Sequence, residues 1–105
     1  MANYKLVVYV PLENADHIRQ VIGEAGGGRL GKYSFCTFST KGTGRYVPDA
    51  DANPYIGKPG KPEEVQEERI EVTCDEEVLS NVIAAIKRVH PYEEVAIDVW
   101  ELKNI

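Results

Sequence analysis

The apolar residues of this 105-residue chain change from strand-like to helix-like spacing and back twice, and that double alternation restricts the fold more than any single motif does. Tyr4 to Val10 is a β-branched and aromatic run ending at Pro11, which reads as a strand buried on both faces and central in its sheet. From Asn14, a natural N-cap, Ile18, Val21, Ile22 and Ala25 recur at helical spacing until Gly26-Gly27-Gly28 ends the pattern. Lys32 to Thr40 then alternates, with Tyr33 and Phe35 on one face and Cys36 and Phe38 on the other. Glu63 to Cys74 alternates over a longer span, with Ile70, Val72 and Cys74 opposite Glu67, Arg69 and Glu71. Asp75 caps a second helical pattern whose stripe is Val78, Leu79, Val82, Ile83 and Ile86. Its acidic start (Glu76, Glu77) and basic end (Lys87, Arg88) suit the helix dipole. Val95, Ile97 and Val99 mark a last strand.

The order βαββαβ, with each strand-helix-strand half right-handed, predicts an α+β ferredoxin-like sandwich of one antiparallel sheet carrying two helices on one face. Residues 1–105 are read as one domain with a long loop over 41–62, rich in glycine and proline. The helix-free face is expected to expose Leu6, Val8 and Val10 or their alternates, with Tyr33 and Val99, and so to serve as an oligomer interface.

With 12 basic and 17 acidic residues the formal charge is -5, which disfavours nucleic acid and anionic membranes as partners. The charge is uneven: Arg29, Lys32, Lys41, Arg45, Lys58 and Lys61 outnumber Asp49 and Asp51, making a basic island in the middle of the chain. The acidic run Glu63, Glu64, Glu67, Glu68 and Glu71 is expected to be a solvated strand face, with Arg69 pairing locally. Cys36 and Cys74 have no CxxC spacing and read as reduced core thiols of a cytoplasmic protein. The longest apolar run, Leu6 to Val10, falls far short of the roughly 20 residues of a membrane span.

Two segments concentrate chemistry. His90-Pro91-Tyr92-Glu93-Glu94 places an imidazole, a phenol and two carboxylates at a helix-to-strand junction, where the proline ends the helix and pushes His90 toward extended backbone. His90, Glu93 and Glu94 suit a divalent metal ion, completed by a second subunit if need be; alternatively Pro91 and Tyr92 make the segment a structural corner. Lys41-Gly42-Thr43-Gly44-Arg45 offers backbone N–H groups and two cations to a phosphate or carboxylate, or is a mobile turn. No Ser/His/Asp or Cys/His set is apparent, so enzyme action on a phosphorylated small molecule is the lesser reading.

Several stretches together carry a family resemblance: Ala25-Gly26-Gly27-Gly28-Arg29-Leu30-Gly31-Lys32-Tyr33, Cys36, Gly42-Thr43-Gly44-Arg45-Tyr46-Val47-Pro48, Asn53-Pro54-Tyr55-Ile56-Gly57, Glu67-Glu68-Arg69-Ile70-Glu71 and the His90 corner. From end to end the chain resembles the inserted PII-like domain of the Nif-three-like proteins, also called type-two GTP cyclohydrolase I. It departs from that pattern at Tyr46, where the family has phenylalanine, and at Asp51, where it has glycine. The corner tetrapeptide also resembles that of the CutA divalent-ion tolerance proteins, which are ferredoxin-like trimers. The resemblance implies a standalone, non-catalytic, PII/CutA-like homo-oligomeric binding or regulatory domain. Its long loop would meet a small anionic ligand or a protein partner. The family's dinuclear metal site belongs to a flanking domain, so the resemblance does not carry cyclohydrolase activity to these residues.

Overall fold

The computed structural model describes residues 2–105. Its elements are β1 (Asn3–Pro11), a 3-10 turn (Leu12–Asn14), α1 (Ala15–Glu24), β2 (Phe38–Tyr46), β3 (Glu63–Asp75), α2 (Glu76–Val89) and β4 (Ile97–Leu102). The four strands form one sheet in the order β2-β3-β1-β4 with every neighbouring pair antiparallel, which is the ferredoxin-like arrangement.

Register decides which side chains meet the helices. Leu6 lies between Val72 and Val99, and Val8 between Ile70 and Ile97, so this parity of β1 enters the core with Ile18 and Ile22 of α1 and Val82 and Ile86 of α2. Burying each such side chain contributes about 1.5–3 kcal/mol. β1 is central, as its composition predicts, and Val7 on its other face is also fully buried, between Glu71 and Asp98.

On the helix-free face it is the alternates of Leu6, Val8 and Val10 that β1 presents, while Tyr33 and Val99 are not there. Leu6, Val8 and Val10 point at the helices, Val99 pairs with Leu6 on that same side, and Tyr33 lies outside the sheet. The open face instead carries Lys5, Tyr9, Arg69, Glu71 and Trp100 around Val7, a mixed surface in which Arg69 Nε lies 3.2 Å from Glu71 and its guanidinium sits over the Tyr9 ring.

Three local readings also change. The second strand begins at Phe38 rather than Lys32, because Leu30 and Tyr33 close a tight turn on each other and Phe35 takes a left-handed φ of 60°. Cys36 therefore sits in the connection and is only half-buried, whereas Cys74 is a core thiol whose burial pushes its pKa up to about 11. At the first helix the 3-10 turn supplies the entry, so Asn14 makes no side-chain cap hydrogen bond.

The predicted loop over 41–62 is shorter than expected, since residues 41–46 belong to β2, paired residue by residue with β3 from Glu68 to Glu63. Two glycines hid that strand. The acidic run is likewise split by the pleat: Glu64 and Glu68 lie on the helix side opposite Arg45 and Lys41, and Glu67 and Glu71 lie on the open side. Arg45 Nε is 2.7 Å from Glu64, so strand pairing gives this cation of the basic island its counter-charge, while Glu68, opposite Lys41, is bound by Arg19 of α1.

Candidate functional site

β3 runs beyond the end of β1: Pro11 pairs with Glu67, while β2 continues alongside β3 to Glu63. The segment from His90 to Ala96 turns around that end of β1. His90 is 8% exposed, and Nε2 lies 2.8 Å from the Tyr9 carbonyl while Nδ1 lies 3.1 Å from the Tyr92 N–H. The Tyr92 N–H can only donate, so Nδ1 is the acceptor and Nε2 carries the proton it gives to Tyr9. Burial lowers the His90 pKa below its ordinary 6.5, outweighing the Tyr9 hydrogen bond and the Glu67 charge, which act to raise it. The imidazole is a neutral pin between β1 and the corner.

With its backbone held by His90, Tyr92 reaches β3 and donates its hydroxyl to Glu67 Oε2 at 2.6 Å. Burial, followed by that hydrogen bond and the Glu67 charge, raises the Tyr92 pKa far above the usual phenol range. Glu67 is 8% exposed, not solvated as the acidic run suggests. Gly44 makes its position possible, because a Cβ there would stand 2.1 Å from Glu67 Oε1.

Loop 47–62 folds over the same region. Its ends are tied by the Gly60 N–H to the Pro48 carbonyl at 2.7 Å, as in a compact surface loop. The Tyr46 hydroxyl donates to the Ile56 carbonyl at 2.7 Å, a tether that a phenylalanine at this position lacks, and the Asn53 N–H donates to Glu93 Oε1 at 3.0 Å. Between loop, strands and corner lies a cleft of about 900 Å3. Tyr9, Gly42, Gly44, Glu67 and Arg69 form its floor, Pro54 and Tyr55 one wall, and Tyr92 and Glu93 the other. The Tyr46 and Tyr55 rings stand 6.2 and 6.3 Å from the Tyr92 ring at interplanar angles of 63° and 53°.

The two predicted site segments thus border one cleft. Lys41-Gly42-Thr43-Gly44-Arg45 is extended strand in a ladder rather than the concave turn an anion cradle needs, and register turns Lys41, Thr43 and Arg45 to the helix side. His90, Glu93 and Glu94 do not assemble as a ligand set: both His90 nitrogens are committed to hydrogen bonds. Among the described residues no three His, Cys, Asp or Glu side chains gather as a metal site would require. Pro91 and Tyr92 act as the corner, with Tyr92 also a cleft wall. Glu67, Tyr9, Tyr46 and Tyr55 escaped the sequence reading. The signal for Glu67 was its parity with Val65 and the glycines Gly42 and Gly44 on the facing strand.

No family model matches the chain. It is 48% identical over 101 residues to a GTP cyclohydrolase 1 type 2 homolog of Halalkalibacterium halodurans, a match covering 96% of this chain and 27% of that protein. Among solved structures it resembles a Bacillus cereus protein related to NIF3, with a TM-score of 0.84 and 43% identity over 98% of this chain and 26% of the other. It also resembles the periplasmic divalent cation tolerance protein CutA of Archaeoglobus fulgidus (TM-score 0.68, 20% identity, 99% of this chain and 86% of that one). Bacillus subtilis GlnK in complex with ATP is similar too (TM-score 0.65, 15% identity, 96% and 82%). The last two likenesses show the fold alone, and the chain spans about a quarter of the length of the curated relatives it matches. Over nearly its whole length, then, this chain is homologous to one PII/CutA-like quarter of the NIF3-like proteins, the GTP cyclohydrolase 1 type 2 homologs.

Proposed function

We propose that this chain is a homo-oligomeric, cytoplasmic binding or regulatory domain whose ligand sits in the cleft between loop 47–62 and the His90 corner. The observation that carries this reading is the convergence of four tyrosines and a buried carboxylate on one open cavity of about 900 Å3. Ligand sites are typically concave, largely apolar and supplied with a few fixed polar groups. A binding role fits the chemistry better than a catalytic one, because the histidine of the corner spends both nitrogens on holding the backbone. The two unpaired cysteines agree with a reducing compartment, and no helix among the described residues is long and apolar enough to cross a membrane.

Assembly is supported by surface. A compact monomer of this mass exposes about 5,900 Å2 and has a radius of gyration of about 13 Å. This chain exposes 6845 Å2, with a radius of gyration of 14.7 Å and a long axis of 46 Å. Phe38 and Trp100 on the open face are 68% and 45% exposed. The resemblance to CutA makes a trimer the specific expectation. Sedimentation equilibrium at micromolar concentration should return the mass of three chains; a monomer across the accessible concentration range would contradict the oligomer.

A further inference from the structure

The polar groups of the cleft are unbalanced. Glu67 accepts one hydrogen bond, from the neutral Tyr92 hydroxyl to Oε2, and among the described residues no donor reaches Oε1 and no cation lies within ion-pair distance of the carboxylate. A buried carboxylate held in this way carries a desolvation cost that a counter-charge would offset. Lys41, Arg45 and Arg69 also line the cleft, but among the described residues none of them forms an ion pair with Glu67. Arg69, the nearest along the strand, leans on Glu71 and Tyr9, and Arg45 pairs with Glu64 on the other side of the sheet. The rim adds negative charge from Asp49, Asp51, Glu93 and Glu94. The walls are aromatic, with the Tyr46 and Tyr55 rings inclined to Tyr92 rather than stacked on it. Ring faces attract cations within about 6 Å of their centroids.

We propose that the cleft selects a small molecule bearing a primary alkylammonium group, which lies against Tyr55 and Tyr92 and donates to Glu67 Oε1. A primary ammonium fits better than a quaternary one because the open acceptor oxygen needs a donor. The inference rests on the cleft being the ligand site. Gly44 sets the carboxylate's place: alanine there would drive its methyl into Oε1 and move the acceptor without changing any charge.

The test is a titration of the intact protein, followed by NMR, with butylammonium chloride and with 1-butanol as the uncharged probe of similar size, at fixed ionic strength. Butylammonium should bind saturably and at least about tenfold more tightly than the alcohol. Glu67→Gln and Gly44→Ala should each remove most of that preference. Tyr55→Ala, at a side chain 54% exposed and so remote from folding, should weaken the ammonium alone. Equal binding of both probes, or an ammonium preference unchanged in Glu67→Gln, would overturn the alkylammonium assignment while leaving the cleft a ligand site. If neither probe perturbs the cleft residues, the assignment fails, and the broader reading then depends on chemically different ligands.

Discussion

Replacing Gly28 with alanine is expected to destabilise the protein by about 4 kcal/mol, the sum of a left-handed backbone penalty and a clash that cannot relax. Gly28 has φ +79°, and a Cβ there would stand 2.5 Å from the Cys36 carbonyl oxygen and 2.8 Å from the Cys36 nitrogen. Both are backbone atoms in a short stitch. The Gly28 N–H donates to the Thr73 carbonyl and the Cys36 N–H to the Gly28 carbonyl, each at 2.9 Å, fastening the excursion between α1 and β2 onto β3. Two other glycines serve as controls. Gly31 has φ +57° with nothing within 4 Å, so alanine there should cost about 1 kcal/mol of strain alone. Gly42 has ordinary φ and open space, and Gly42→Ala should stay within about 0.5 kcal/mol of the parent. Urea unfolding of the three variants checks the order; a Gly28→Ala protein as stable as Gly42→Ala would show that the two backbones do not approach as described.

The second large effect concerns His90. His90→Ala leaves the Tyr9 carbonyl and the Tyr92 N–H without partners and opens a void under the corner, a loss of about 2–4 kcal/mol. The wild-type pH dependence follows from the direction of the shift. His90 is harder to protonate in the folded chain than in the unfolded one, so below its ordinary pKa of 6.5 the unfolded state binds more protons. Its contribution is complete above about 6.5 and is lost as pH falls from there through the lowered folded value. Unfolding free energies of wild type and His90→Gln, compared across that window, should converge as pH falls, because only the wild type loses this contribution. A constant difference between them would mean that the imagined neutral pin does not exist.

How much of this was written plainly in the sequence depends on whether the signal was local. The two helices and β1 were legible because their apolar residues repeat at one spacing over several turns or pleats, and the partner they bury against merely completes the pattern. β2 was misplaced at both ends for different reasons. Tyr33 and Phe35 alternate like strand residues, but the backbone leaves extended geometry at Phe35. Residues 41–46, by contrast, look like a loop because of Gly42 and Gly44, the second of which is needed to admit Glu67. The His90 corner stood out as a cluster of reactive groups, yet its parts diverge in space: the imidazole holds backbone, the phenol binds a glutamate 25 positions away, and Glu93 receives the loop. No one-dimensional spacing encodes those partners. Arg45 of the basic island misled in the same way, since its counter-charge Glu64 arrives across the β2–β3 ladder rather than along the chain.

The claim at the centre is that ligands enter the cleft lined by Tyr9, Tyr46, Tyr55 and Tyr92. The six tyrosines of the chain provide their own internal control, because Tyr4 and Tyr33 lie outside that cleft. Fluorine NMR of protein labelled with 3-fluorotyrosine, its signals assigned by single Tyr→Phe variants, should be recorded while a chemically varied set of small molecules is added. Binding ligands should shift the four cleft resonances together and leave Tyr4 and Tyr33 unmoved; ligands that shift Tyr4 or Tyr33 while the cleft tyrosines stay still would contradict the assignment.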